Sequence, residues 1–202
     1  MGLLLMVSFN KTSRLSTTVG ALKRDLANER NKTAYLNQRL LDQMGNKTTP
    51  VSCKESRKWS DTSVACPEGY TKFRGVCYQS RDIRTTFWDA DLACFQDGGT
   101  LAMPRDADTN AFLVSLSQSV SNDTDFWLGL HDQREEGKFE WVDGTALCGY
   151  DSWAPGQPNS VLSIEDCVLV SATVTDLWPN KWYDAACHRR MFFFCQVVPG
   201  QM

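Results

Sequence analysis

The apolar positions change their period twice along this 202-residue chain. From Leu15 they recur every seven residues, as Leu15, Leu22, Glu29 and Leu36 in one series and Val19, Leu26, Thr33 and Leu40 in the other. Interleaved in this way, the two series form the a/d seam of a coiled coil across four heptads, with Glu29 and Thr33 interrupting its middle. The repeat stops at a linker containing Pro50. Thr86 and Asp89 then make a capping box ahead of a predicted helix over 87–95, which Gly98 and Gly99 end. Asp106 or Asp108 caps a second helix running through 110–116. Beyond it the pattern becomes that of strands, at 126–130, 138–142, 167–170 and 190–197. Helices first and strands afterwards indicate an α+β class rather than a repeating βαβ chain. Between Asp143 and Glu165 lies a stretch rich in Gly, Pro and Ser, longer than ordinary connections and expected to be a functional loop.

Charge divides the chain at the same place. Residues 10–58 carry eleven Lys and Arg against four Asp and Glu, whereas residues 61–202 carry ten against twenty. The near-neutral total of -3 is therefore a cancellation between a basic segment and an acidic one. An acidic domain excludes nucleic acid as its partner and suits calcium, which takes oxygen ligands. Eight Cys, seven of them in the acidic part, indicate disulfides and an extracellular setting. The Asn-X-Thr sequons at Asn10, Asn31, Asn46 and Asn122 agree with that compartment. Residues 1–9 are apolar over about half the length of a membrane span. They are expected to be the remnant of a signal peptide or membrane anchor, making the chain secreted or the ectodomain of a type II membrane protein. Catalysis finds no support: the two His, His131 and His188, have no zinc-ligand spacing, and no nucleophile elbow or phosphate loop occurs. Glu135 and Glu136 are adjacent and would diverge on a strand, unlike the carboxylate pair of a glycosidase.

One ordered set of residues carries a resemblance. Cys66-Pro-Glu-Gly-Tyr70, Cys77-Tyr78, the segment from Trp88 to Cys94, Trp127-Leu-Gly-Leu130, Gln157-Pro-Asn159, Glu165-Asp-Cys167, Trp182-Tyr-Asp184, Cys187 and Cys195 follow one another as in C-type lectins. Residues 66–197 thus resemble a C-type lectin-like domain of the long form, with an extra N-terminal disulfide. The resemblance implies two helices, short antiparallel sheets and a long ligand-binding loop. The organisation expected is a targeting remnant at 1–9, a helical coiled-coil neck at 10–47, a linker at 48–65 and the domain at 66–197. The resemblance also implies the bridges Cys66 with Cys77, Cys94 with Cys195, and Cys167 with Cys187. Cys53 and Cys148 remain; they could pair with each other, or Cys53 could lock an oligomer between chains, and the sequence does not choose.

In the family, a calcium ion binds two neighbouring sugar hydroxyls, and its protein ligands hydrogen-bond the same hydroxyls. By motif, the primary carbohydrate and calcium residues are Gln157, Asn159, Glu165 and Asp184, with Pro158 following a cis peptide bond. Tyr183 departs from the pattern, because sugar-binding members carry Asn there and a protonated phenol is a poor calcium ligand. The primary site is accordingly expected to be weak. An auxiliary calcium site maps onto Asp132, Glu136, Glu165 and Asp166, although Ser160 stands where Asp or Asn is common. The alternative for this cluster is a solvated acidic loop with surface ion pairs, for instance to Arg134. Gln157-Pro-Asn159 is a hybrid of the mannose-type and galactose-type motifs, and 160–163 offers no aromatic residue for stacking on galactose, so mannose, fucose or glucose-type glycans are the expected partners. A homo-oligomer through the neck would raise weak single-site binding by avidity. The alternative is a calcium-independent receptor of this fold that binds a protein surface.

Overall fold

The computed structural model describes residues 64–120, 124–161, 164–173 and 176–200, together with Val19, Thr33, Leu36 and Asn37. The chain divides into two units, Met1–Gly45 and Asn46–Met202. In the first, the four described residues are helical, and Val19 and Leu36 are exposed. The rest of the expected neck, residues 1–9, Cys53 and the four sequon asparagines lie outside the described residues. No helix among the described residues is long and apolar enough to cross a membrane.

The second unit begins with a hairpin, β1 (Thr71–Phe73) and β2 (Val76–Thr85). Gly75, at φ 82°, occupies the left-handed turn between them, a conformation that glycine adopts without a Cβ clash. Helix α1 (Phe87–Gln96) follows, capped by Thr86, whose hydroxyl accepts from the Asp89 N–H and donates to the Asp89 carboxylate at 2.8 Å. After β3 (Thr100–Leu101) comes helix α2 (Ala107–Ser117). Asp106 is its N-cap, accepting from the Thr109 N–H at 2.8 Å, while Asp108 lies in the first turn. The remaining strands are β4 (Asp125–His131), β5 (Glu140–Trp141), β6 (Cys167–Ser171), β7 (Trp182–Ala185) and β8 (Met191–Val197).

These strands make one sheet in the order β1-β2-β8-β4-β6-β7, with β3 paired to β8 and β5 to β4. Every pairing is antiparallel except β4 with β8, where Phe126 faces Phe192 and Trp127 faces Phe193. β4 and β6 are buried along almost their whole length, as strands in the middle of a covered sheet must be. The apolar residues form two clusters. One contains Leu113, Phe126, Trp141, Trp182 and Phe194; the other packs α1 through Phe87 and Ala90 against Trp127, Leu169 and Phe193.

Three disulfides staple this unit: Cys66–Cys77, Cys94–Cys195 and Cys167–Cys187. The second closes a loop of 101 residues, which the chain-entropy model values at about 4.7 kcal/mol. Cys148 is also disulfide-bonded, to a partner outside the described residues.

Candidate functional site

The long connection from β5 to β6 is fastened at its base by Trp182. Its backbone N–H donates to Ser152 O at 2.8 Å, and its carbonyl accepts from Ala154 N at 3.0 Å. The Trp182 ring is fully buried between Trp141, Tyr150 and Trp153, all edge-on, and its indole N–H donates to Asn110 Oδ1 at 2.8 Å. Trp182 thus joins helix α2 to the foot of the loop.

Further along, the Gln157–Pro158 bond is cis. The chain then turns across the end of β7, where Asp184 is buried. Its carboxylate accepts from Asn159 N at 3.0 and 3.1 Å and from Ser160 N at 2.6 Å. Glu165 Oε2 accepts from Val161 N at 3.1 Å. Three successive loop amides are thus held by two of the carboxylates that sequence reasoning assigned to calcium. Asn159 contributes here through its backbone, and Gln157 Oε1 is buried without a hydrogen-bond partner.

Ser160 has a role its residue type did not disclose. At φ 45° it sits in the left-handed region, its N–H turned to Asp184 and its hydroxyl donating to Glu136 Oε1 at 2.5 Å. One residue therefore links the two candidate sites. The signal available in the sequence was position alone, the place following Gln157-Pro-Asn159.

The second cluster lies just beyond β4. Asp132 is 2 % exposed; its Oδ2 accepts from Gly137 N at 2.8 Å, and its Oδ1 is buried without a partner. Its backbone N–H donates to Asp166 O at 3.0 Å, bringing the two acidic residues together. Burial, then the Glu136 and Asp166 charges, push the Asp132 carboxyl up to about 6 against the pull of the Gly137 hydrogen bond. Burial and Glu136 also raise Asp166. Arg134 does not neutralise this group, since it pairs with Glu140. Glu165, expected to be shared, faces the loop amide instead.

Tyr183 points elsewhere. Its phenol donates to Asp176 and is pushed up to about 12, chiefly by burial and then by that carboxylate. It stays protonated and supplies no ligand oxygen at neutral pH.

A buried orphan oxygen, Asp132 Oδ1, among mutually repelling carboxylates is what a cation site contributes, and the Asp132 cluster suits calcium in that respect. The loop residues offer one orphan oxygen, Gln157 Oε1, but the oxygens of Asp184 and Glu165 are occupied by amides. In neither cluster, among the described residues, do three or more His, Cys, Asp or Glu side chains converge on one metal position.

This arrangement has known counterparts. A model of the lectin C-type domain matches residues 83–197. Human lithostathine-1-alpha is 34 % identical over 135 residues, covering 66 % of this chain and 78 % of that protein. C-type lectin domain family 3 member A of Bos taurus is 36 % identical over 139 residues, covering 68 % of this chain and 67 % of the relative. Among solved structures, the cow C-type carbohydrate-recognition domain of CD23, determined in the presence of a GlcNAc2Man3 oligosaccharide, superposes with a TM-score of 0.58 at 28 % identity, over 67 % of this chain and 97 % of that one. With the family model spanning more than half of its residues, this chain belongs to the C-type lectin family.

Proposed function

We propose that the domain is a calcium-dependent lectin for mannose, fucose or glucose-type glycans, extracellular, binding weakly at each site and gaining strength through oligomerisation of the neck. The observation that carries this reading is the pair of buried oxygens without partners, Asp132 Oδ1 and Gln157 Oε1, one in each candidate site. An uncompensated buried oxygen costs about 1–3 kcal/mol, and a bound cation relieves that cost. Asp132, Glu136 and Asp166 would hold the ion that orders the loop, with Glu165 beside them. Gln157, Asn159, Glu165 and Asp184 would hold the ion that meets the sugar, once Asp184 and Glu165 release the amides of residues 159–161. That exchange and the missing Asn at position 183 both weaken the primary site.

A second reading, calcium-independent recognition of a protein surface, is favoured by the same amide bonds, which close the loop without any ion. A glycan array probed with the full chain in calcium and in chelator separates the two. Binding that appears with calcium and vanishes with chelator supports the lectin; binding that survives chelation favours the rival. Calorimetric calcium titration of Asp132→Ala locates the ordering ion, and undiminished calcium uptake by that variant would remove Asp132 from the site.

A further inference from the structure

Asp125 opens β4 and Asp132 follows its other end, so the two mark opposite ends of one strand. At the Asp125 end is an open cavity of about 550 Å³ lined by Arg84, Arg189, Arg190, Thr124, Thr173 and Asp125. That volume falls within the roughly 300–1,000 Å³ of small-ligand sites. Three guanidiniums against the Asp125 carboxylate, with the Asp176 carboxylate also acting on it, leave the lining locally cationic, on a unit whose residues 61–202 carry twenty acidic side chains against ten basic ones.

Arginine ion pairs among the described residues belong to Arg74, Arg81, Arg105 and Arg134, and none involves the three cavity arginines. Arg84 is nevertheless positioned, its Cζ 4.8 Å from the Phe192 ring centroid and one Nη donating to Thr124 Oγ1 at 3.4 Å. Stacking on one face leaves the edge donors of a guanidinium free for an oxyanion. Burial raises Asp125, which takes a hydrogen bond from Ser171 and feels Arg189 and Arg84 nearby. Its carboxylate and the two threonine hydroxyls are suited to sugar hydroxyls, and the arginines to a tetrahedral oxyanion.

We propose that this cavity is an acidic-sugar subsite, taking a monosaccharide or short glycan that bears one sulfate ester, independently of calcium. The surrounding negative charge disfavours a long polyanion here, so a single oxyanion on a small neutral body is the ligand that fits. The basic segment at residues 10–58 would capture a polyanion by itself, which makes a singly sulfated probe the right one.

The test is an NMR titration of the isotopically labelled full chain in chelator with N-acetylglucosamine 6-sulfate, its unsulfated parent, inorganic sulfate and inorganic phosphate. The sulfated sugar is expected to shift the Thr124 and Thr173 amides saturably, and the parent sugar to leave them unmoved. Replacing both Arg189→Gln and Arg190→Gln is expected to weaken binding roughly tenfold or more, the loss of charge-assisted hydrogen bonds. A parallel titration in calcium is expected to shift the Thr124 and Thr173 amides to the same extent as in chelator, which keeps this result separate from the fate of the calcium-dependent reading. Equal shifts with the unsulfated sugar, or unchanged affinity in the double arginine variant, would overturn the subsite. Inorganic sulfate or phosphate binding as tightly as the sulfated sugar would reduce it to a site for free oxyanions and overturn the glycan assignment.

Discussion

The hydrogen bond from Trp182 to Asn110 joins positions 72 residues apart in a place water cannot reach, and its removal has a calculable cost. In Asn110→Ala the indole N–H stays buried but loses its acceptor. A buried donor left unpaired costs about 1–3 kcal/mol. Alanine is the better helix former, which returns about 0.5 kcal/mol within α2. The second bond of Asn110, from Nδ2 to Asn180 O at 3.4 Å, is long and adds little. The net loss expected is therefore about 0.5–2.5 kcal/mol, measured by urea unfolding of the oxidised chain. Trp182→Phe removes the donor and part of the ring, with a larger cost of about 3 kcal/mol from the void among Trp141, Tyr150 and Trp153. The double variant decides the matter, because once the donor is gone the acceptor has nothing to lose. The two losses should fall short of additivity by about 1 kcal/mol or more. Strict additivity, or an Asn110→Ala cost indistinguishable from zero, would refute the claim that this bond fastens the loop base.

Three further outcomes follow from geometry already given. Because burial and like charges raise Asp132 above its unfolded value of 3.8 to about 6, the unfolded chain binds fewer protons there, and stability without divalent cation should fall as pH rises from about 4 to 6. The fall is at most about 3 kcal/mol; Asp132→Asn should flatten this part of the pH profile, and an unaltered slope in thermal melts would contradict the assignment. A Cβ on Gly99 would lie 2.1 Å from Gln196 O, so Gly99→Ala should cost about 3 kcal/mol in denaturant unfolding. Gly137→Ala, at φ 77° with open space around it, should cost only about 1 kcal/mol by the same measurement. Removing Cys94 and Cys195 together should cost roughly 4–5 kcal/mol in unfolding experiments, the loop-closure value for 101 residues, and more than removal of the Cys66–Cys77 bridge, which closes 11.

Both helices were legible because their starts are marked by side chains that cap backbone amides: Thr86 by type and spacing, and either Asp106 or Asp108, between which the structure selects Asp106. Strands β4, β6 and β8 were legible from their apolar runs. Strand β2 was not, since Arg81, Asp82, Ile83 and Arg84 run along its outer half with three of the four exposed, and polar exposed strands leave no period-two signal. β5 is shorter than its sequence suggested because the apolar run 138–142 turns away after Trp141. The motif residues lie on the loops at 132–136 and 157–166 and in β7, but the motif could not say which oxygens are free. Asp184 and Glu165 accept loop amides, Tyr183 turns to Asp176, and Ser160 bridges the two clusters. The amide and Ser160 contacts are decided by the three-dimensional path of residues 157–161, and the Tyr183 contact by the approach of Asp176 to β7; no local pattern encodes either. The cationic cavity was invisible for a related reason, as Arg84 at the end of β2 meets the Arg189-Arg190 pair only because Thr85 lies opposite Met191 at the start of β8, with the start of β4 alongside.

The placement of the disulfides has a mechanical consequence. The second and last strands of the unit, β2 and β8, are neighbours, with Cys77 opposite Val197. Tension applied through the flanking chain enters at Cys66, crosses to Cys77, follows residues 77–94, and crosses again from Cys94 to Cys195. That covalent route can lengthen to no more than about 60 Å, set by the contour of the short segment between the bridges. Residues 95–194 lie off this route, but Cys148 among them is itself disulfide-bonded to a partner outside the described residues, so the long loop has a covalent tie of its own. While the two bridges hold, a chain pulled by its ends can peel its outer hairpin yet extend through this unit by no more than that covalent limit.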